Sequence, residues 1–467
     1  MWEASDETGH FAFVKYLASQ REFPRLGQAV TEWFDESHQP PLYYLLAAIA
    51  VSWIDTDDGL EPEMNPYVFS GKDIGGVNIT IHSDREAFPY RGTALAMHVA
   101  RLVSVAISTA VVALTYLIGC LLFPRDEAIA VGATALTAFW PQFLFLGAVV
   151  TNDILVPLFS SLVILFLLRI EYQRSNWAGF LGLGVCLVGA VATKMSAWGL
   201  IPLSALVLML IGMRRVPVQV RWLVWPAVSL CLGGAWWWLR GLALPRDLFE
   251  TIRYGDVMWT AIAFVQHPIG QATGLPWDIL PGALEYCSRT IWASFGWDNV
   301  GVEEWVYQIF ILLCLFGAIG LVKYMLRESR GSSRFGVVVL LLGVAFVFIP
   351  AILTVLAGEG QFLYGRIVAG AIPLLSLLLF LGLSRLLPQR YTKLLAIAVG
   401  AGLCVLALII PFRYIIPAYA RPVFLSAGEV EDIEHPLRVN FEHKVELLGY
   451  DLNSRVAKVG EAISLTL

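Results

Sequence analysis

The sequence predicts an all-α polytopic membrane protein. Three observations carry this. Of 467 residues, 57% are hydrophobic and only 15% charged, against about 25% charged in ordinary soluble domains. The mean hydropathy is +0.68. Long apolar runs recur without the alternation that a membrane β-barrel requires, so the backbone must satisfy its own hydrogen bonds as helices. A net charge of −5 and a pI near 5.9 have the wrong sign for gripping phosphates along a nucleic acid. Five of the six cysteines (Cys120, Cys186, Cys231, Cys314, Cys404) lie in apolar runs, and none forms a CxxC. They predict small core residues, not a disulfide framework.

The chain divides into an external first segment (1–98), six spans (99–240), an external loop (241–302), four spans (303–412) and an external C-terminal segment (413–467). The ten expected spans are 99–123, 128–148, 151–169, 177–193, 195–213, 222–240, 303–325, 335–356, 365–385 and 393–412, each near the length that crosses a bilayer. Alternate short loops and their helix ends, from Arg125 to Lys393, hold 13 of the 32 Lys and Arg residues but only four acids. The positive-inside bias places these loops in the cytoplasm. The long segments, all seven His residues and most acids then face outside. No Walker-type or GxGxxG loop is present. An external start with no apolar run before it predicts a missing first span. Residues 441–467 alternate like strands, predicting the opening of a β-domain that continues further.

In the first segment, Ser5 is positioned to cap a helix over 5–16, with Asp6 and Glu7 in its exposed first turn. Pro40 and Pro41 open a second, interfacial helix over 42–54. Asn152 and Asp153 stand at an outer helix end, where they either cap the helix or face a cavity. Lys194 and Arg366 stand at other outer ends, as interfacial anchors or site cations. Trp259, Trp277, Trp292 and Trp297 suit an interfacial belt or a sugar platform. Acids and cations at one end of the bundle fit a substrate with an anionic leaving group: a carboxylate deprotonates an acceptor hydroxyl while cations stabilise the departing phosphate.

Several stretches resemble bacterial membrane glycosyltransferases of the GT-C superfamily, near the protein O-mannosyltransferases (glycosyltransferase family 39) and aminoarabinose transferases. They are DETGHFAFVKYLA, HQPPLYYLLA, FLFLGAVVTND, ATKMSAWGLIPL, RTIWASFGWDNV and GQFLYGRIVAGAIP. The resemblance implies a GT-C-like helix bundle in the plasma membrane. Its activity would be transfer of a sugar from a polyprenyl-phosphate donor to a lipid, glycan or protein acceptor on the extracytoplasmic face. Asp6 would be the base, Glu7 its neighbour and Asp153 the second acid. Arg366 would approach the lipid phosphate, with His10, His38, Gln39, Asn152, Lys194 and Tyr364 around the substrate. Gln39 stands where some relatives have a Lys. The resemblance implies no required cofactor, although Asp6, Glu7 and Asp153 have the oxygen chemistry for Mg²⁺ or Mn²⁺. Two other classes remain open: a lipid or glycan transporter, which would place polar groups at mid-membrane, and a non-catalytic scaffold.

Overall fold

The computed structural model describes residues 1–24, 28–31, 35–37, 39–65, 77–173, 177–214, 223–229, 231, 279–327, 332–356, 364–420, 433–441, 445–452 and 465–466. It is an all-α bundle with small outer strands. Every expected span except 222–240 is helical; most of that one lies outside the described residues. Six helices among the described residues are long and apolar enough to cross a membrane, or up to seven if one bent pair counts as a span.

Two helices precede the bundle: α1 (Glu7–Gln20) and α2 (Leu42–Val51). The first span, α3 (Gly92–Leu122), starts earlier than its apolar run suggests. The second breaks into α4 (Glu127–Ala138) and α5 (Pro141–Gly147), bent by 61°. Pro141 explains the break. It holds Trp140 in an extended conformation and opens α5 as its first residue. Then come a 3₁₀ turn at Asn152–Ile154, α6 (Leu155–Tyr172), α7 (Trp177–Val191), a second 3₁₀ turn at Met195–Gly199 and α8 (Leu200–Arg214). At 15 residues, α7 is short for a span. After the long loop stand α9 (Ile279–Trp292), α10 (Glu304–Arg327) and α11 (Ser332–Leu356). A 3₁₀ segment at Gly365–Ala371 runs into α12 (Ile372–Leu386), followed by α13 (Thr392–Ile410).

Apart from Ser376, helix α12 is apolar on every side until its last turn, a pattern that fits a buried helix or a membrane span. Its span is 89% enclosed by protein, whereas those of α10 and α13 are only 22% enclosed. Ile309, Leu312, Phe316 and Ile319 form an exposed apolar stripe along α10, the face a bilayer would cover. The α10–α12 contact depends on small residues. A Cβ on Gly320 would overlap the backbone of Gly382, and one on Gly382 the backbone of Gly317. Arg169, Arg214, Arg327 and Arg385 occupy the last turns of α6, α8, α10 and α12. The basic ends therefore gather at one end of the bundle, and the starts of these helices at the other.

Two short antiparallel pairs accompany the helix starts: β1 (Glu63–Met64) with β2 (Thr80–Ile81), and β3 (Ser294–Phe295) with β4 (Val300–Gly301). Residues 419–467 form a separate unit. Its strands β5 (His435–Phe441), β6 (Val445–Leu452) and β7 (Leu465–Thr466) make an antiparallel sheet in that order. The strands thus begin before residue 441.

Gly382→Val should lower the unfolding free energy by about 1–3 kcal/mol, the usual cost of overpacking. Gly402→Ala on α13, where a Cβ meets nothing within 4 Å, should be neutral or slightly stabilising. Melting temperatures of the two variants in one detergent check this.

Candidate active site

The outer ends of α1, α6 and α12 converge, together with the start of α2 and the β3–β4 hairpin. Asp6 is the N-cap of α1, and Ser5 does not serve as the cap. Asp6 takes a left-handed conformation (φ 60°), and its carboxylate makes no capping bond. Asp and Asn tolerate this region better than most residues. The carboxylate is instead turned to Arg366, with Nη2 2.6 Å from Asp6 Oδ2. The pair is partly open, with side chains 20% (Asp6) and 23% (Arg366) exposed.

The helix start is buried, contrary to the exposed start expected from its acids. Glu7 has no exposed surface. Its carboxylate takes a two-pronged contact from Arg101 on α3, Nε at 2.8 Å and Nη2 at 2.6 Å. It also accepts the Val150 backbone N–H at 2.8 Å. Although adjacent in sequence, Asp6 and Glu7 therefore serve different purposes: Asp6 faces the site cation, and Glu7 ties α1 to α3 and to the turn before α6.

At that turn Thr151 is the cap. Its hydroxyl accepts the Asp153 N–H, which leaves the side chains of Asn152 and Asp153 for other work. Asp153 is 2% exposed and ion-paired with Lys194. Asn152 donates to Gln39 Oε1 at 3.3 Å and to the Thr193 carbonyl at 3.2 Å. The Leu42 N–H donates to the Ala192 carbonyl at 3.0 Å. The start of α2 is thus fastened to the turn that carries Lys194. The structure brings together all the predicted site residues among those described, except Glu7. His38 lies outside the described residues.

His10 lies one helical turn beyond Asp6, fully enclosed, with Nδ1 2.8 Å from the Tyr44 hydroxyl. Burial lowers its pKa, against the pull of Glu36, Asp6 and Asp153.

Two acids of the cluster were not singled out from the sequence. Glu36 is hydrogen-bonded to Gln39, and burial pushes its carboxyl above the usual range. Asp298 lies in the β3–β4 turn, again left-handed (φ 61°). It accepts the Tyr286 hydroxyl at 3.2 Å. Burial raises its carboxyl too, opposed by Ser294, Arg366 and Tyr286. The hairpin carbonyl of Gly296 accepts the Ser5 N–H at 3.1 Å, which joins this turn to the start of α1. Tyr286 packs edge-on against Tyr364, and the Arg366 guanidinium lies 5.3 Å from the Tyr364 ring centre. The Gly365 N–H donates to Thr290 on α9 at 2.7 Å, which fixes the backbone next to Arg366.

The aromatic expectation needs correction at Trp292. Trp292 is 3% exposed and stacked between Trp140 and Phe310 at 3.7 and 4.2 Å. It is core, neither belt nor platform, because Trp140, held by the bend at Pro141, supplies a parallel face. Trp259 and Trp277 lie outside the described residues. Among the described residues no group of three or more His, Cys, Asp or Glu is arranged to hold a metal ion. Asp6, Glu7 and Asp153, the oxygen ligands considered for Mg²⁺ or Mn²⁺, each face a separate cation.

Glu7→Gln should lower the unfolding free energy by about 3 kcal/mol, because it leaves Arg101 uncompensated. The double variant Glu7→Gln/Arg101→Met should lose less than the two single changes added together. Thermal unfolding of the purified variants reads both. Strict additivity would mean that the clamp contributes nothing as a pair.

No family model and no curated protein matches the chain. Among solved structures it is similar to ArnT from Cupriavidus metallidurans in the apo state, at 14% identity and a TM-score of 0.38, over 82% of this chain and 72% of that one. It is also similar to the same protein bound to undecaprenyl phosphate, at 13% identity and a TM-score of 0.37, over 82% and 73%.

Proposed function

We propose that the chain is an integral membrane glycosyltransferase of the GT-C type, moving a sugar from a polyprenyl-phosphate donor to an acceptor. The observation that carries this reading is the partly open pair of Asp6 and Arg366 at the outer helix ends. It sets a base for a hydroxyl beside a cation for a phosphate, with the Asp153–Lys194 pair behind. Polar groups at one end of the bundle suit transfer better than transport, which needs them at mid-membrane.

In the proposed reaction the acceptor hydroxyl attacks the anomeric carbon from the face opposite the phosphate. The bond from that carbon to the phosphate oxygen breaks, and its electrons leave with polyprenyl phosphate. The hydroxyl proton passes to the Asp6 carboxylate. One base suffices, and the anomeric carbon inverts; retention through a covalent sugar would need a second carboxylate as nucleophile. Arg366 stabilises the leaving phosphate, with Lys194 as the further cation. Asp153 orients Lys194. Gln39, Asn152, His10, His38 and Tyr364 line the substrate. Glu7 is a positioning residue for Asp6. The acceptor is a lipid, glycan or protein. The protein lies in the plasma membrane, with the site on the extracytoplasmic face.

Asp6→Asn keeps the side-chain size and removes the basicity. It should lower transfer from a polyprenyl-phosphate sugar by at least about 10²-fold, with the melting temperature unchanged. Consumption of the lipid-linked donor measures this, and near-normal turnover would remove Asp6 as the base. The orientation has its own check. Cys at Gly255 should react in intact cells with a membrane-impermeant thiol reagent, and Cys at Ser332 should not; labelling of Ser332 would place the site on the cytoplasmic side.

A further inference from the structure

The two roles just assigned to Asp6 and Arg366 exclude each other in the structure as it stands. Arg366 holds Asp6 Oδ2 at 2.6 Å. A carboxylate bound to a guanidinium is a poorer proton acceptor, because proton transfer to it would forfeit the ion pair. A guanidinium bound to a carboxylate has fewer donors to offer a phosphate. Lys194, the site's second cation, is likewise engaged, by Asp153. Each site cation therefore already carries an anion.

We propose that Asp6 occupies the phosphate subsite of Arg366 in the free protein, and that the donor phosphate displaces it. The inference rests on the glycosyltransferase reading and adds an order to it. The lipid phosphate takes Arg366, Asp6 is released, and only then is a base present for the acceptor hydroxyl. A donor-free site thus holds no free Asp6 to activate an acceptor.

Three observations favour an exchange over a fixed structural pair. First, both side chains are about a fifth exposed, so an incoming anion can reach them. The Glu7–Arg101 pair contrasts with this, since its carboxylate is fully enclosed. Second, Arg366 does not depend on Asp6 alone for compensation. Asp153 and Asp298 also act on its charge, and its guanidinium lies beside the Tyr364 ring. Third, Asp6 is the N-cap of its helix, joined to it through its backbone carbonyl, which accepts the His10 N–H at 3.0 Å. Its carboxylate makes no capping bond that release would break.

Competition of this kind makes a prediction that simple catalysis does not. A ligand whose subsite is filled in the free protein binds with an affinity reduced by the fraction of time the subsite is open. Removing the competitor therefore tightens binding. The experiment measures binding of farnesyl monophosphate, a short polyprenyl phosphate, to the full chain in nanodiscs, with farnesol as the uncharged control. Asp6→Asn should bind the phosphate about fivefold more tightly than wild type, the release of roughly 1 kcal/mol of partly exposed ion pairing. Farnesol binding should not change. Arg366→Met should bind the phosphate weakly, and adding Asp6→Asn to it should have no further effect. Asparagine is well tolerated in the left-handed region, and an unchanged melting temperature would confirm that the variant folds. Unchanged or weaker phosphate binding by Asp6→Asn, with wild type still binding through Arg366, overturns the exchange and leaves the glycosyltransferase reading standing. Absence of phosphate-dependent binding in wild type and Asp6→Asn alike overturns both.

Discussion

The Glu7 carboxylate has no surface in contact with solvent, so its charge has to be met within the protein. Arg101 and the Val150 N–H meet it from two different elements. Breaking such a pair on one side costs more than the pair contributes, because an uncompensated ion is left behind. That asymmetry is what makes the contact an anchor. It fixes the first turn of α1 against α3 and against the turn entering α6. The residue before Glu7 then has little freedom. It leaves the helix in a left-handed conformation, and its side chain points to Arg366 and not back along the helix. The partly open Asp6–Arg366 pair thus follows from a neighbouring pair whose carboxylate is fully enclosed.

The same logic governs the opposite wall. A helix start needs a partner for its free N–H groups, and Asn152 or Asp153 would be suitable caps. Thr151 takes that role. Asp153 is then free for Lys194, and Asn152 for Gln39 and the Thr193 carbonyl. At both helix starts the site acid is spared from capping, by a left-handed N-cap in one case and by a neighbouring hydroxyl in the other. Glycine does comparable work deeper in the bundle. Gly320 and Gly382 let α10 and α12 approach backbone to backbone, and α12 in turn continues from the 3₁₀ segment that carries Arg366.

What was legible in the sequence follows from the range of the interactions. Spans announce themselves through apolar length: nine of the ten expected runs are helical, although only six helices among the described residues, or seven with the bent pair, are long and apolar enough to cross a membrane. The breaks are set by tertiary fit: Pro141 is visible in the sequence, yet a bend of 61° and a parallel Trp140–Trp292 stack are not. Asp6, Asp153, Lys194 and Arg366 stood out because charge at an outer helix end needs a reason. Glu36 and Asp298 did not, because each sits in an ordinary-looking polar stretch far in sequence from its partners. The Trp297–Asp298–Asn299 run after Gly296 was the available signal, a turn with an acid in a left-handed position. Adjacency along the chain and in the motif groups Glu7 with Asp6 as one acid pair. In a helix, neighbouring residues point in directions about 100° apart, and here they face different partners.

Charge balance connects these features. Asp6 and Asp153 are matched by Arg366 and Lys194. Glu36 and Asp298 add two more carboxyls, and burial pushes both toward the neutral acid. Gln39 brings no charge to the cluster. The cluster already has its two cations, and Gln39 instead passes a hydrogen-bond chain from Glu36 to Asn152 and on to the Thr193 carbonyl. In the proposed exchange, an incoming phosphate is an anion added where both cations already have partners. It can gain a cation only by taking one from a carboxylate, and of the two paired site acids Asp6 is the more exposed, at 20% against 2% for Asp153. Under the proposed function, the carboxylate it releases most readily is the one that accepts the proton.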